Sequence, residues 1–320
     1  MASQIIGASA TSIRTPHPFF YENMNYKKLL QQAIDLHVHI GLEIIPRKFT
    51  LGELLKTEKD KLRGIAVKNH FFPTIAMNSK KTLKNEMPFV INSVTLNNYL
   101  GGFNCDIIRA SAELSIRPII VWFPTLQTDC FLKERRFEIP QEWIDSSLRR
   151  SIKLKSSKDI KKLTVLDKKN NLKKEVIKVL KIIKQYKAIL ATGHLSWQES
   201  RKLVRYATKI GIKKNIITHP IYRRINMPIK IQKELADLGG YIEHCFTMYS
   251  IDKIPIKEIV RQIKEVGAKK CILSSDVGQT FSPGPSEALT EFIYLFKREG
   301  ITDKEIKTML VNNPEILAER

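Results

Sequence analysis

Apolar runs of strand length alternate along this chain with stretches whose apolar residues recur at helical spacing. The runs are AIDLHVH (33–39), GIAVKNH (64–70), FVINSVTLN (89–97), PIIVWFP (118–124), AILATGH (188–194), NIITHP (215–220), GYIEHC (240–245) and KCILSSD (270–276). Eight strands are expected, with an amphipathic helix between most of them. Several helix ends are legible. Thr50 with Glu53, and Ser196 with Glu199, match the capping box, in which a hydroxyl and a carboxylate three residues on satisfy orphan N–H groups at a helix start. Gly211, Gly267 and Gly300 stand where helices should stop.

The polar residues that end these runs are regularly spaced. His39 to Lys68 and Lys68 to Asn97 are 29 residues each, and His194 to His219 and His219 to His244 are 25 each. Each interval suits one strand, one helix and two loops, so the repeating unit is βα. Trp122 to His194 is the long interval, at 72 residues. Its surplus holds LQTDCFLKERRFEIPQEWIDSS and a hairpin expected to turn near Asp167–Asn171. The expected fold class is α/β, a (β/α)8 TIM-type barrel over 1–320 as one domain. It would carry an N-terminal arm (1–32), an insertion after strand four (125–172) serving as lid or side wall, and C-terminal helices DKEIKTML and PEILAE.

Composition narrows the partners. A net charge of +22 raises nucleic-acid binding, since a Lys and Arg excess drives phosphate attachment. Lysines nevertheless recur through nearly every expected helix, and the densest block, 149–184, has no aromatic residue to stack on bases. The charge therefore reads as solvated helix faces, compatible with an anionic small-molecule substrate. No apolar run approaches the roughly 20 residues of a membrane span, and the N-terminus lacks the basic start and apolar core of a secretory signal. Cys105, Cys130, Cys245 and Cys271 show no paired spacing and read as reduced thiols of a cytoplasmic protein.

The chain has seven histidines, and His17 lies in the arm. The other six (His37, His39, His70, His194, His219, His244) fall at or near the C-terminal ends of expected strands, the face where barrel enzymes assemble their sites. Scattered core histidines would not do this. On a regular strand Asp35, His37 and His39 would all project to one side. His37 and His39 from strand one, His194 from strand five, His219 from strand six and Asp276 from strand eight make a divalent metal site. Zinc is the first expectation, with manganese, iron or nickel as alternatives and one or two ions. Asp35, deeper on strand one, is expected to orient a ligand imidazole.

This order resembles the amidohydrolase superfamily, whose members carry His-x-His on strand one, His on strands five and six, and Asp on strand eight of a distorted barrel. The resemblance covers roughly residues 33 to 315. DLHVH, VKNHFFPT, LNNYLGGFN, ATGHLSWQE and SSDVGQ look like an uncharacterised branch of it. One departure matters. Two-metal members usually place a carboxylated Lys or a Glu on strand four as a bridge, whereas strand four here ends in VWFPT, and Trp122 and Thr125 offer none. Strand two presents Lys68 and His70 instead. A carbamylated Lys68 would bridge two ions; a charged Lys68 would grip an anionic group of the substrate; a salt bridge to Glu243 is the structural alternative.

These residues imply a reaction type. A bound metal lowers the pKa of its water to about 7 and polarises a carbonyl or phosphoryl oxygen. Asp276 would take and pass on the proton, and His219 or His244 would help hold a developing oxyanion. Glu243 and His244 lie on opposite faces of their strand, and His244 is the one expected to enter the site. His70, Trp122 (as a wall) and Arg223, beside Tyr222 and Arg224, are the expected substrate contacts, and Gly101–Asn104 reads as a turn or a close backbone approach. The expected function is metal-dependent hydrolysis of an amide, lactam, lactone or related C–N or C–O bond. Alternatives are a decarboxylase or phosphoesterase on the same site, or a non-catalytic metal- or anion-binding protein. A homo-oligomer is compatible with all of these.

Overall fold

The computed structural model describes residues 26–78, 87–133, 135–144 and 151–319. Most of the expected N-terminal arm, His17 included, and positions 134 and 145–150 of the expected insertion lie outside the described residues.

Among the described residues, nine short parallel strands occupy the eight expected positions. They are β1 (Ile34–His39), β2 (Gly64–Lys68), β3 (Phe89–Ile91), β4 (Ser93–Thr95), β5 (Ile120–Trp122), β6 (Ile189–Ala191), β7 (Asn215–Ile217), β8 (Gly240–Cys245) and β9 (Cys271–Ser274). The third expected strand is split at Asn92 because its halves serve different neighbours: β3 pairs with β2, and β4 pairs with β5. The sheets run β1-β2-β3 and β4-β5-β6-β7-β8-β9. Two seams join them. Across the first, the Ser93 hydroxyl donates to Val67 O at 2.6 Å and the Thr95 hydroxyl to Asn69 O at 2.9 Å. Across the second, Val38 bridges Val277, His39 N donates to Val277 O at 2.8 Å, and Asp276 N donates to His37 O at 2.8 Å. The result is a (β/α)8 barrel.

Alternation along each strand sorts side chains between two apolar layers. Ile34, Leu36, Ala66, Ile91, Ile120, Trp122, Ile189, Ile216 and Ile272 fill the barrel interior, and Leu317 and Ala318 of the C-terminal helix join that cluster. Val67, Val94, Val121, Leu190, Ile217, Ile242 and Leu273 point outward and pack with helix residues such as Leu54, Ile108, Val179, Leu203, Ile259 and Phe292. A smaller cluster, Ile45, Phe71, Leu126, Phe131, Leu132 and Ile139, draws together the loops after β1, β2 and β5. The interior is packed solid with aliphatic side chains, so any site must sit at one end of it.

The expected helix signals act as written. Both capping boxes form, at the starts of Leu51–Thr57 and Trp197–Lys209. The hairpin turns where expected: Leu166 bridges Leu172, and Asp167 N donates to Asn171 O at 2.8 Å. The two C-terminal helices are Asp303–Lys307 and Asn313–Ala318, joined by a π-helical turn, Thr308–Asn312.

Candidate metal centre

The opening strand is not regular. Its register against β2 shifts between Asp35 and Val38, so Leu36 faces the interior below the bulge while His37 and His39 reach the site above it. A bulge inserts one residue and re-aims the side chains after it. Asp35 is consequently out of phase with the histidines. Its carboxylate accepts from His37 N at 3.1 Å and from Ser275 N at 3.0 Å, which secures the bulge and ties β1 to the end of β9. The expected role of orienting an imidazole is corrected: Asp35 holds backbone. Burial pushes its carboxyl up to about 7, against the hydrogen bonds from Ser275.

Above the bulge the donors converge. His37 Nε2 lies 3.1 Å and His39 Nε2 3.0 Å from one oxygen, Asp276 Oδ1. The other Asp276 oxygen accepts from the Thr247 hydroxyl at 2.6 Å. Asp276 occupies the left-handed region, φ 56°, a conformation Asp tolerates better than most residues and one that its backbone bond to His37 holds. Two glycines permit this crowding. A Cβ on Gly278 would collide with the His39 backbone, and one on Gly193, ahead of His194, would collide with Phe123 and Pro124 carbonyls.

The remaining imidazoles extend the cluster as a chain of rings. His37 and His219 stack with centroids 5.9 Å apart, His219 and His194 lie 5.1 Å apart, and His39 and His70 lie 4.8 Å apart. His194 Nδ1 faces Thr125 O at 3.2 Å, so Nδ1 carries the proton and Nε2 is left as a ligand atom. Thr125 also meets His70, its hydroxyl 3.1 Å from Nδ1, and Asn97 clamps Thr125 through its N–H and hydroxyl. Burial pulls His39, His70 and His194 well below the ordinary histidine range and His219 down to about 4. They are neutral at pH 7, the form that binds metal.

The expected assignment on β8, the seventh of the expected strands, is reversed. Glu243, not His244, faces inward: its Oε2 lies 3.3 Å from His37 Nδ1, with Cys245 Sγ 3.9 Å from the same nitrogen. Burial alone would raise the Glu243 carboxyl, but the adjacent His37 outweighs it and holds it below its usual value. His244 is fully buried on the outer face, with neither ring nitrogen bonded among the described residues. Trp122 is also displaced from its expected place. It does not line the cavity but lies beneath the site, 4.4 Å from the His37 ring, and Lys68 Nζ sits 4.3 Å over it. Lys68 itself does reach the centre, its Nζ 3.0 Å from His37 Nε2. Burial pushes its ammonium down to about 8, against the pull of Asp276 and Glu243. It makes no ion pair with Glu243 among the described residues.

A cavity of about 720 Å³ opens over this centre, with His39, Lys68, His70, His194, His219 and Asp276 at its floor. Arg223 lines it from the exposed loop after β7. Two further residues went unnoticed in the sequence, Glu43 and Arg47 of the loop after β1. Their side chains form a buried ion pair, and Glu43 Oε2 accepts from His70 N at 2.8 Å. GLEIIPRK reads as an ordinary loop, and only the pair's spacing of four residues hinted at it.

The donor set fits a divalent cation. The ligand atoms of His37, His39 and Asp276 lie within 4.8 Å of one another, all buried. In the neutral His37 tautomer whose Nδ1 proton is given to Glu243, the Nε2 lone pair faces the Asp276 carboxylate at 3.1 Å. Two facing lone pairs repel unless a cation lies beside them, a place that the Lys68 ammonium, 3.0 Å from His37 Nε2, or a divalent ion can fill.

Residues 32–243 match the model of a family of unknown function, DUF6282. No curated protein matches the sequence. Solved structures do match in fold. The probable dipeptidase PvdM from Pseudomonas aeruginosa aligns with TM-score 0.58 at 12% identity, over 94% of this chain and 98% of its own. An amidohydrolase from the same organism gives 0.55 at 8% identity, over 91% and 97%. A TatD homologue from Escherichia coli gives 0.55 at 13% identity, over 90% and 98%. The chain thus shares the barrel fold of these structures.

Proposed function

The chain belongs to DUF6282, and from that premise we propose that it is a metal-dependent hydrolase of a small, anionic substrate, cleaving an amide, lactam, lactone or related C–N or C–O bond. The observation that carries the reading is the convergence of His37 Nε2 and His39 Nε2 on Asp276 Oδ1, at 3.1 and 3.0 Å. His37, His39, His194, His219 and Asp276 would hold the ion, zinc first among the candidates, with Lys68 at its edge. A divalent ion there would polarise a carbonyl oxygen and lower the pKa of a water to about 7.

The chain's own residues divide the remaining work. Asp276, ionised and held by the Thr247 hydroxyl, takes the proton of the attacking water and delivers it to the leaving group. Glu243 fixes the His37 tautomer from behind, the arrangement by which outer carboxylates orient ligand imidazoles. His219 stands over the His37 ring, where it either holds the ion or, left free of it, donates to a developing oxyanion. Lys68 either neutralises an anionic group of the substrate or, as a carbamate, becomes a further ligand. The basic lining of the cavity supports an anionic substrate. The test is elemental analysis of protein purified without chelator, followed by hydrolysis assays on lactone and amide panels before and after metal removal. Full turnover by metal-stripped protein would sink the reading.

A further inference from the structure

The cavity is built in two zones. Its floor holds the histidines, Lys68 and Asp276; further out it is lined by apolar side chains, Phe131, Trp143, Met248, Ile251 and Phe281, with the Arg135 guanidinium 4.2 Å over the Phe131 ring and 5.1 Å over that of Trp143. Three of these are exposed to solvent: Phe281 by 73%, Trp143 by 40% and Ile251 by 36%. Exposed apolar surface around a concave site marks a place where something apolar is bound. Charge is equally one-sided. Arg47, Lys68, Lys133, Arg135, Arg223 and Arg224 line the cavity against only Asp252 and Asp276 among the described residues.

Arg47 differs from the other cations. Its side chain is only 4% exposed, and Glu43 takes its Nε edge, leaving its terminal nitrogens without a hydrogen-bond partner among the described residues. The pair is anchored, because the second Glu43 oxygen accepts from His70 N and Arg47 bridges to Gln279. The Glu43 carboxylate also lies within 4.8 Å of ligand atoms of His39 and His70, so this guanidinium sits beside the candidate metal centre. A guanidinium oriented along one edge presents the other as a fork for two oxygens of a carboxylate or phosphate.

Resting on the hydrolase reading, the geometry points to a substrate that is an amphiphilic anion: a carboxylate or phosphate head gripped by Arg47, with an apolar arm lying along Phe131, Trp143, Ile251 and Phe281. Arg47, rather than the exposed Arg223, is then the head-group residue. The volume of about 720 Å³ suits such a molecule and exceeds what a small hydrophilic anion fills.

Trp143 reports on this directly, because it lines the cavity. Linear alkanoates from butanoate to decanoate are titrated against the metal-loaded protein, following the fluorescence lost in a Trp143→Phe control. Affinity should rise about fourfold per methylene until the arm leaves the cavity. Decanol should bind at least tenfold more weakly than decanoate. Arg47→Met should abolish that difference while leaving decanol unchanged. Should Arg47→Met fail to fold with Glu43 unpaired, the double variant Glu43→Gln/Arg47→Met replaces it. Decyl phosphate separates phosphate from carboxylate preference. No dependence on chain length, or an undiminished decanoate preference in the Arg47 variants, overturns the inference. Protein that holds its metal but ignores the alkanoates refutes this inference alone; protein without metal that still ranks them refutes only the hydrolase reading.

Discussion

Lys68 Nζ lies 3.0 Å from His37 Nε2, the nitrogen that also faces Asp276. A charged ammonium and a metal ion compete for that position. Burial has already moved Lys68 down to about 8, so about a tenth of it is neutral at pH 7 and about half at pH 8, and only the neutral amine can take up CO2. If Lys68 becomes a carbamate, metal reconstitution with bicarbonate should raise activity, more so above pH 8 than below it. Lys68→Met should then lower metal content. If it stays an ammonium, bicarbonate does nothing and the variant mainly raises KM.

The same shift makes a stability prediction for the metal-free protein. The folded-state pKa lies below the ordinary 10.5, so the unfolded chain binds the proton more tightly. Stability from this group is therefore reduced at neutral pH and recovers as pH rises from about 8 towards 10.5. Metal-free Lys68→Met should melt higher than the parent at pH 7 by a few degrees, and the gain should shrink at pH 10. A lower melting temperature at both pH values would show that the packing of Lys68 on Trp122 outweighs its buried charge.

Asp276→Asn removes the proton acceptor while keeping an oxygen of the same size. Turnover should fall at least about 100-fold, the scale of general acid–base catalysis, with metal content largely kept. His37→Ala or His39→Ala should lose the metal as well, read by elemental analysis of the same preparations. An active Asp276→Asn variant would remove Asp276 from the chemistry.

Much of this site could be read from the order of the chain, and the failures have a common cause. Eight apolar runs, the two capping boxes and the histidines at strand ends are local signals, and the eight strand positions form where they were expected. What could not be read was which way a side chain points when both faces of a strand are buried. On β8, Glu243 and His244 are both fully buried, so alternation carries no contrast between solvent and core. Trp122 and Phe123 pose the same problem, as both are fully buried. The bulge in β1 had no sequence signature, and it moved Asp35 out of phase with His37. Glu43 meets His70, and brings its partner Arg47 to the cavity, only because the loop after β1 reaches the end of β2, a tertiary fact.

Thr125 offers a test of how the mouth is held. Its hydroxyl meets His70 Nδ1 at 3.1 Å and the Asn97 side chain at 3.0 Å, whereas His194 bonds only its carbonyl. Thr125→Val deletes the hydroxyl and leaves buried partners unpaired, so stability should fall by about 1–3 kcal/mol in urea unfolding. Thr125→Ser should recover most of it. Metal content should survive in both, since the His194 bond is to backbone.

The reversal on β8 yields the clearest pair of variants. Glu243 holds His37 Nδ1 at 3.3 Å from behind the candidate ligand atom, so Glu243→Gln should weaken metal affinity about 10–100-fold, the usual cost of losing an outer-sphere partner. His244 next door should behave oppositely. Both its nitrogens are buried without partners among the described residues, and burial pulls it down to about 4. Its unfolded pKa is near 6.5, so below that pH the unfolded chain takes a proton that the folded one refuses. The stability of the neutral buried form is thus present above pH 6.5 and lost as pH falls towards 4. His244→Leu should keep metal content, gain about 1–3 kcal/mol at pH 7 by removing unpaired polar atoms, and widen its advantage over the parent between pH 6.5 and 4. If His244→Leu lost the metal while Glu243→Gln retained full affinity, the original sequence assignment of His244 to the site would be restored.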